Sequence, residues 1–340
     1  MSPTSDPAVP PPLPGAQAPP FAGRRRIGLG RLLAWAVLGV LLAVTLLPLW
    51  MVVKTALLPN ATLLEQSATL LPAQPTLGNF ERVLGLVSVE QSIALGGSGA
   101  EINFARALGN SLLFTGLVVV LQTLCAAMAA YAFARLRFPG RDVLFALFVA
   151  SMMVPGVVTF MPNFVLLKEM GLLNTMAGMV APFCLMQGFA VFFLRQFFLS
   201  IPRDIEEAAL LDGASHAYVF FRIVLPLSTT PIVTLAMLTG IGMWNEFFWP
   251  WLVGKDESLQ VLPVALQTFK SQTPQGQPDW TGLMAAATVA VLPTLLLLVA
   301  FGRRVVESVQ FRHYSDVFKF GGQNAISFIR FEFTSGDCGW

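Results

Sequence analysis

The sequence predicts an all-α integral membrane protein with six transmembrane helices, and three observations predict it. The chain is 55% hydrophobic but only 12% charged, about half the charged fraction of a soluble domain. Its apolar residues gather in runs of about 18 or more, long enough to cross a bilayer core. Its positive charges are placed unevenly. With the N-terminus inside, the outer segments hold only six of the 21 Lys and Arg residues: Lys54, Arg82, Arg106, Lys168, Lys255 and Lys270. That bias is the one the positive-inside rule requires, although the last 30 residues supply three of the inner charges. The net charge of +2 says little about partners and gives no basis for nucleic acid.

Taken in order, residues 1–31 read as a disordered, Pro-rich cytoplasmic head, ending in Arg24, Arg25, Arg26 and Arg31. The first span runs from Leu32 to Val53. A basic region before an apolar one also fits a signal peptide, but this run is too long and Pro48-Leu49-Trp50-Met51 is a poor cleavage site. Residues 54–107 form a moderately polar outer segment containing Gly96-Gly97-Ser98-Gly99. Asn110-Ser111 opens a second span to about Tyr131, followed by Arg135, Arg137 and Arg141. The third, about Val143 to Leu167, contains Pro155-Gly156 and Pro162; the fourth, about Met176 to Phe193, contains Pro182 and Gly188. A polar stretch over 200–227 precedes the fifth span, about Thr230 to Leu252. An outer loop with Lys255, Asp256 and Glu257 leads to Trp280, and the sixth span covers about Gly282 to Phe301. The membrane domain is thus 32–310, and 311–340 is a cytoplasmic tail with no assigned role.

The polar stretch is the most informative. Pro202 suits a first helical turn, and Asp204, Glu206 and Glu207 place negative charge at the positive end of the helix dipole. Ala208 and Ala209 keep the surface small, so that another backbone can approach. Gly213, beside Asp212, can take φ > 0 where the chain leaves the helix. A second helical run, Ala214 to Arg222, ends at Pro226. The product is a helix–turn–helix with an acidic, small-residue corner.

Within the spans, Pro155, Gly156 and Pro162 point to a kinked helix beside a pathway, or simply to the frequency of Pro and Gly in membrane helices. Glu246 is the one acid well inside a predicted span, and such a charge needs a partner or a cavity. Asn245, Glu246 and Trp244 either line the pathway or its gate, or tie helices together. Trp249 and Trp251 read as an interfacial belt. Gln187 and Asn163 are weaker pathway candidates. Cys125 and Cys184 read as small buried hydrophobes, and Cys338 has no partner at metal or redox spacing. His216 and His313 are too far apart for a histidine metal site. No Gly-x-x-x-x-Gly-Lys-Ser/Thr loop occurs, so the chain does not cradle ATP phosphates in the P-loop manner.

The order Glu207-Ala208-Ala209, three residues, Gly213, nine residues, Ile223-x-Leu225-Pro226 resembles the coupling loop of ABC-importer permeases at every fixed position. Trp244-Asn245-Glu246-Phe247, Leu262-Pro263-Val264, Met153-Val154-Pro155 and Gly171-Leu172-Leu173-Asn174-Thr175 are similar to the carbohydrate branch, which includes the G subunit of the maltose importer. The resemblance covers about residues 32–310. It implies type I importer architecture in a bacterial or archaeal plasma membrane, with both termini cytoplasmic. It also implies a second, different permease subunit, two ATP-binding subunits that hold ATP and Mg, and an extracytoplasmic sugar-binding protein. The solute would be a di- or oligosaccharide or a glycerol-phosphate-like molecule, and this chain itself would be no enzyme and hold no cofactor or metal. The Pro-rich head, the Gly-Ser insertion and the long tail depart from the family pattern. The rival class is a secondary transporter driven by an ion gradient, which calls for internal repeats and midplane charges. No repeat is visible, and only Glu246 could serve as an ion ligand. A membrane enzyme finds no clustered His, Cys or paired carboxylates in the spans, and a plain anchor leaves the coupling motif without a purpose.

Overall fold

The computed structural model describes residues 29–99, 102–185, 187–270 and 278–309; most of the head, all of the tail and Cys338 lie outside them. No β-sheet occurs among the described residues. The chain divides into two units, residues 1–50 and 51–340. The first holds most of helix α1 (Leu29–Ala56), which is long and apolar enough to cross a membrane.

In the second unit, the short helices α2 (Gly78–Val83) and α3 (Val89–Ala94) precede α4 (Phe104–Arg135). The helix α4 begins six residues before the expected start, capped by the Asn103 side chain on the Arg106 amide. Asn110 and Ser111 therefore lie inside it. Their side chains bond instead to the backbone of Ser258, Gln260 and Leu262, pinning that loop to the helix.

The third and fourth expected spans are broken outright, whereas Pro48 stays inside α1. The third is α5 (Arg141–Ser151) and α6 (Gly156–Glu169), bent by 101°. Pro155 disfavours helix at the residue before it, so the chain turns at Met152–Pro155, while Pro162 stays within α6. The fourth is α7 (Met176–Val180) and α8 (Gly188–Ser200), with non-helical chain through Pro182 between them. Helices α9 (Arg203–Leu211) and α10 (His216–Leu227) make the polar corner, and α10 meets α11 (Thr229–Trp244) at 79°. The fifth expected span stops at Trp244 and resumes as α12 (Phe248–Val253). The short α13 (Leu262–Ala265) and the long α14 (Trp280–Val309) are the last α-helices among the described residues. Among the described residues, three single helices can cross a membrane by length and composition, and two bent pairs raise this to five. The apolar α8 is too short to count alone.

The axis of the second unit is α4. Its buried residues include Phe104, Ala107, Ser111, Phe114, Val118, Gln122, Ala126, Ala130 and Ala134, a stripe at steps of three and four that fixes one helix face. The stripe enters all three apolar cores: one with α14 and α13, one with α7 and α12, and one with α8 and α10. Ala126, Ala127, Ala130 and Ala134 have no exposed surface to speak of. Such small residues let α8 approach closely, which is how membrane helices gain packing energy. Arg195 of α8 lies 4.1 Å from the centre of the Phe145 ring and donates to the Phe133 carbonyl.

Gly188 starts α8 hard against the end of α5. A Cβ there would sit 2.5 Å from the Phe148 carbonyl oxygen and 2.9 Å from Met152 Cγ. Gly188→Val is therefore expected to cost about 3 kcal/mol or more through overpacking against backbone, seen as loss of the monodisperse peak in fluorescence-detected size exclusion. A wild-type profile would show that this contact yields freely.

Candidate functional site

The corner of α9 and α10 is assembled by local chemistry. Pro202 is not in the first turn; it caps α9 in extended conformation, just before Arg203. Asp204 and Glu206 occupy the first turn. At the other end Gly213 takes φ +88°, its amide bonds to Leu210, and the Ala214 amide reaches back to Ala209. This is the paired hydrogen-bond pattern that ends a helix in the left-handed region. Ser215 then caps α10 by accepting from the Tyr218 amide. Ahead of Pro226, which lacks an N–H, α10 widens into a π-helical turn over Phe220–Val224, and it runs on to Leu227. Val219, Phe220 and Val224 are buried, with Ile223 and Leu225 packed beside them. Pro226 is exposed.

The two adjacent glutamates play opposite parts. Glu207 is exposed, whereas Glu206 is buried. Glu206 Oε1 lies 2.8 Å from Arg135 Nε at the end of α4, with side chains 8% and 6% exposed. The two atoms meet as an ion pair without hydrogen-bond alignment. A second nitrogen of Arg135 donates to the carbonyls of Phe198 and Ile201, each at 2.6 Å. One guanidinium thus joins α4, the end of α8 and the start of α9. Burial pushes the Glu206 carboxyl above the usual glutamate range, while the Arg135 guanidinium and the nearby Tyr131 hydroxyl pull it down less strongly. Sequence reading counted Arg135 only as a loop charge.

With its inner face fixed, the corner presents Ile205, Glu207, Ala208, Leu211, Asp212 and Tyr218 outward. Leu211 is 89% exposed. A shallow cleft lined by Ala209, Asp212, Gly213, Ala214, Ser215 and Tyr218 runs across it.

The pathway candidates separate. The Trp244 indole is buried and donates to the Ala290 carbonyl, tying α11 to α14. Asn245 is exposed and folds back on Ile241, and Glu246 accepts from the Trp249 amide at the start of α12. Trp249 is fully buried and donates to Met179, so it is a core anchor and no part of a lipid-facing belt. Trp251 is exposed, with Lys255 Nζ 4.0 Å from its ring centre. Asn174 (φ +54°) bonds the Lys255 amide and the Val253 carbonyl, a turn role that accounts for the Gly171–Thr175 motif. Asn163 is half-buried on α6. Gln187 alone meets another polar side chain: buried Gln122 of α4 donates to it at 2.8 Å beside a cavity of about 480 Å3. Cys125 and Cys184 are free and half-buried. Among the described residues no three His, Cys, Asp or Glu side chains gather as a metal site.

The profile of the binding-protein-dependent transport system inner membrane component family matches residues 122–310. The chain belongs to this family. It is an ABC-importer permease subunit, a multi-pass membrane protein and not itself an enzyme. Over 210 residues it is 33% identical to the diacetylchitobiose uptake system permease protein NgcG of Streptomyces coelicolor, covering 62% of this chain and 69% of that one. It is 30% identical over 274 residues to the sn-glycerol-3-phosphate transport system permease protein UgpE of Salmonella typhi, covering 80% and 92%. The same fold occurs in the crystal structure of a bacterial ABC transporter that imports the acidic polysaccharide alginate, with a TM-score of 0.69 and 21% identity over 84% of this chain and 99% of that one.

Proposed function

We propose that this permease moves a carbohydrate into the cell and receives the ATP-driven stroke through the α9–α10 corner. The observation that carries the reading is the corner's two-sidedness. Arg135 and Glu206 fix it rigidly to α4 and α8, while a small-residue, partly apolar surface around Ala208 and Leu211 stays uncovered. A rigid lever with an open docking face can pass a push from outside into the membrane helices. The Lys and Arg bias supports a cytoplasmic corner and cytoplasmic termini. Two ATP-binding subunits would hold ATP and Mg, and a second permease would cover the largely exposed faces of α5 and α6. An extracytoplasmic sugar-binding protein would deliver the solute. The sugar and glycerol-phosphate transport of the relatives supports this solute class. Ion coupling is weakened because Glu246, its one candidate ligand, is engaged by the Trp249 amide.

Ala208→Arg tests the docking face, since Ala208 is exposed and its replacement disturbs no core. The variant is expected to insert at wild-type levels but to co-purify with at most about a tenth of the ATP-binding subunit, as a misplaced charge at an interface centre costs several kcal/mol. Full co-purification and full transport would remove the corner from the coupling interface.

A further inference from the structure

The cavity beside Gln122 and Gln187 has a chemistry of its own. Gln122 lies about 27 Å from the Phe104 end of α4 and about 20 Å from the Arg135 end at 1.5 Å per residue, so the pair is deep within the span. Gln187 is nonetheless exposed, and residues 181–185 just before it are non-helical at the same depth. Polar side chains and irregular backbone do not face lipid; they line protein or water. Beyond their mutual bond, Gln122 keeps its carbonyl and Gln187 its amino group, and both residues line the cavity with Thr239. The Gln187 side chain makes no capping bond to α8, which leaves the first amides of that helix without a side-chain acceptor. Phe183 and Phe189 add apolar surface to the cavity lining.

We propose that Gln122, Gln187 and Thr239 are the solute-contacting wall of this subunit, and that the group they receive is a neutral, hydroxyl-rich sugar residue. The assignment rests on the carbohydrate reading above and narrows it. Two effects compete over charge. The end of α8 offers about half a positive elementary charge, which attracts anions. No Lys or Arg lines the cavity, and an anion stripped of water in a membrane requires a full countercharge. The countercharge decides. Amides and a hydroxyl match sugar hydroxyls as both donors and acceptors, and the two phenylalanines match the apolar faces of a pyranose ring.

The test uses the whole importer, with its co-purifying subunits and binding protein, in ATP-loaded liposomes. Uptake of radiolabelled neutral di- and trisaccharides, glycerol 3-phosphate and uronic-acid oligosaccharides is measured per assembled complex. A neutral sugar should be taken up, with uptake efficiency falling about ten-fold in Gln122→Leu/Gln187→Leu and about three-fold in Thr239→Val, the loss of two and one hydrogen bonds. Thr239→Val removes only a hydroxyl and decides the matter if the double variant does not assemble. Wild-type uptake of the neutral sugar in the assembled variants would overturn the wall assignment. Transport of only the anionic solutes would overturn the neutral one. Failure of the wild type with every carbohydrate would instead sink the solute class on which the proposal stands.

Discussion

Arg82→Leu is expected to lower stability by about 3–5 kcal/mol, the cost of leaving one member of a buried ion pair alone. Arg82 on α2 and Asp279 at the foot of α14 are 1% and 0% exposed and meet at 2.7 Å. The guanidinium also bonds Asn79 and Thr281, and the carboxylate accepts from the amides of Ser98 and Gly282. Asn79 in turn donates to the carbonyls of Ala56 and Leu58. Removal of the arginine strands a buried carboxylate and breaks the tie between α2 and α14. Thermal unfolding of the purified protein, followed by size exclusion, measures the loss. Arg82→Leu/Asp279→Leu should recover much of it, because an apolar pair leaves no unpaired charge. A single variant as stable as the wild type would show that water reaches the site and screens it.

That network also marks where sequence reading stops. Arg82 and Lys54 count only as outer charges in a topology argument, which says nothing of burial, and both are buried, Lys54 donating to the carbonyls of Gln66 and Ser67. Asp279 carries no local signal at all, since its partner lies in a distant part of the chain. Gly97, in the Gly-Ser insertion that departs from the family pattern, packs so closely on Arg82 that a Cβ would lie 2.0 Å from Nη1. Long-range pairings of this kind cannot be seen in composition or period. The local features fare differently. The Gly213 turn was legible because φ > 0 is a property of one residue. The break at Pro155 was legible as a kink, but its severity depends on what packs on either side, and Pro162 in the same span stays helical. The corner motif announced a surface and not its support: nothing nearby in sequence distinguishes the buried Glu206 from the exposed Glu207, because the difference is made by Arg135 on another helix.

Arg135→Leu is accordingly expected to abolish most transport, by about ten-fold or more, while leaving the proposed docking face chemically intact. The buried Glu206 loses its countercharge, at a cost of about 3–5 kcal/mol, and two carbonyls lose a shared donor. The corner then stays attached through the chain but no longer moves rigidly with α4 and α8. Arg135→Lys keeps the charge but cannot fork to carboxylate and carbonyls together, so it should fall between. Glu206→Gln isolates the charge, because the amide fills the same space without needing a countercharge. The pH dependence has a definite sign. A carboxyl whose folded-state pKa is raised contributes stability that is complete below the ordinary glutamate pKa and is lost as pH rises through the raised value. Burial raises that of Glu206, and removal of Arg135 takes away the main opposing influence. The stability deficit of Arg135→Leu should thus be larger at pH 8 than at pH 5, and the pH dependence should vanish in Arg135→Leu/Glu206→Gln. Solute uptake and ATP hydrolysis measured together across that range give the decisive comparison. Hydrolysis that persists while uptake fails identifies the pair as the rigid link in the stroke. Full uptake in Arg135→Leu would show that the corner is held in place by its apolar packing on Val219, Phe220 and Val224 alone.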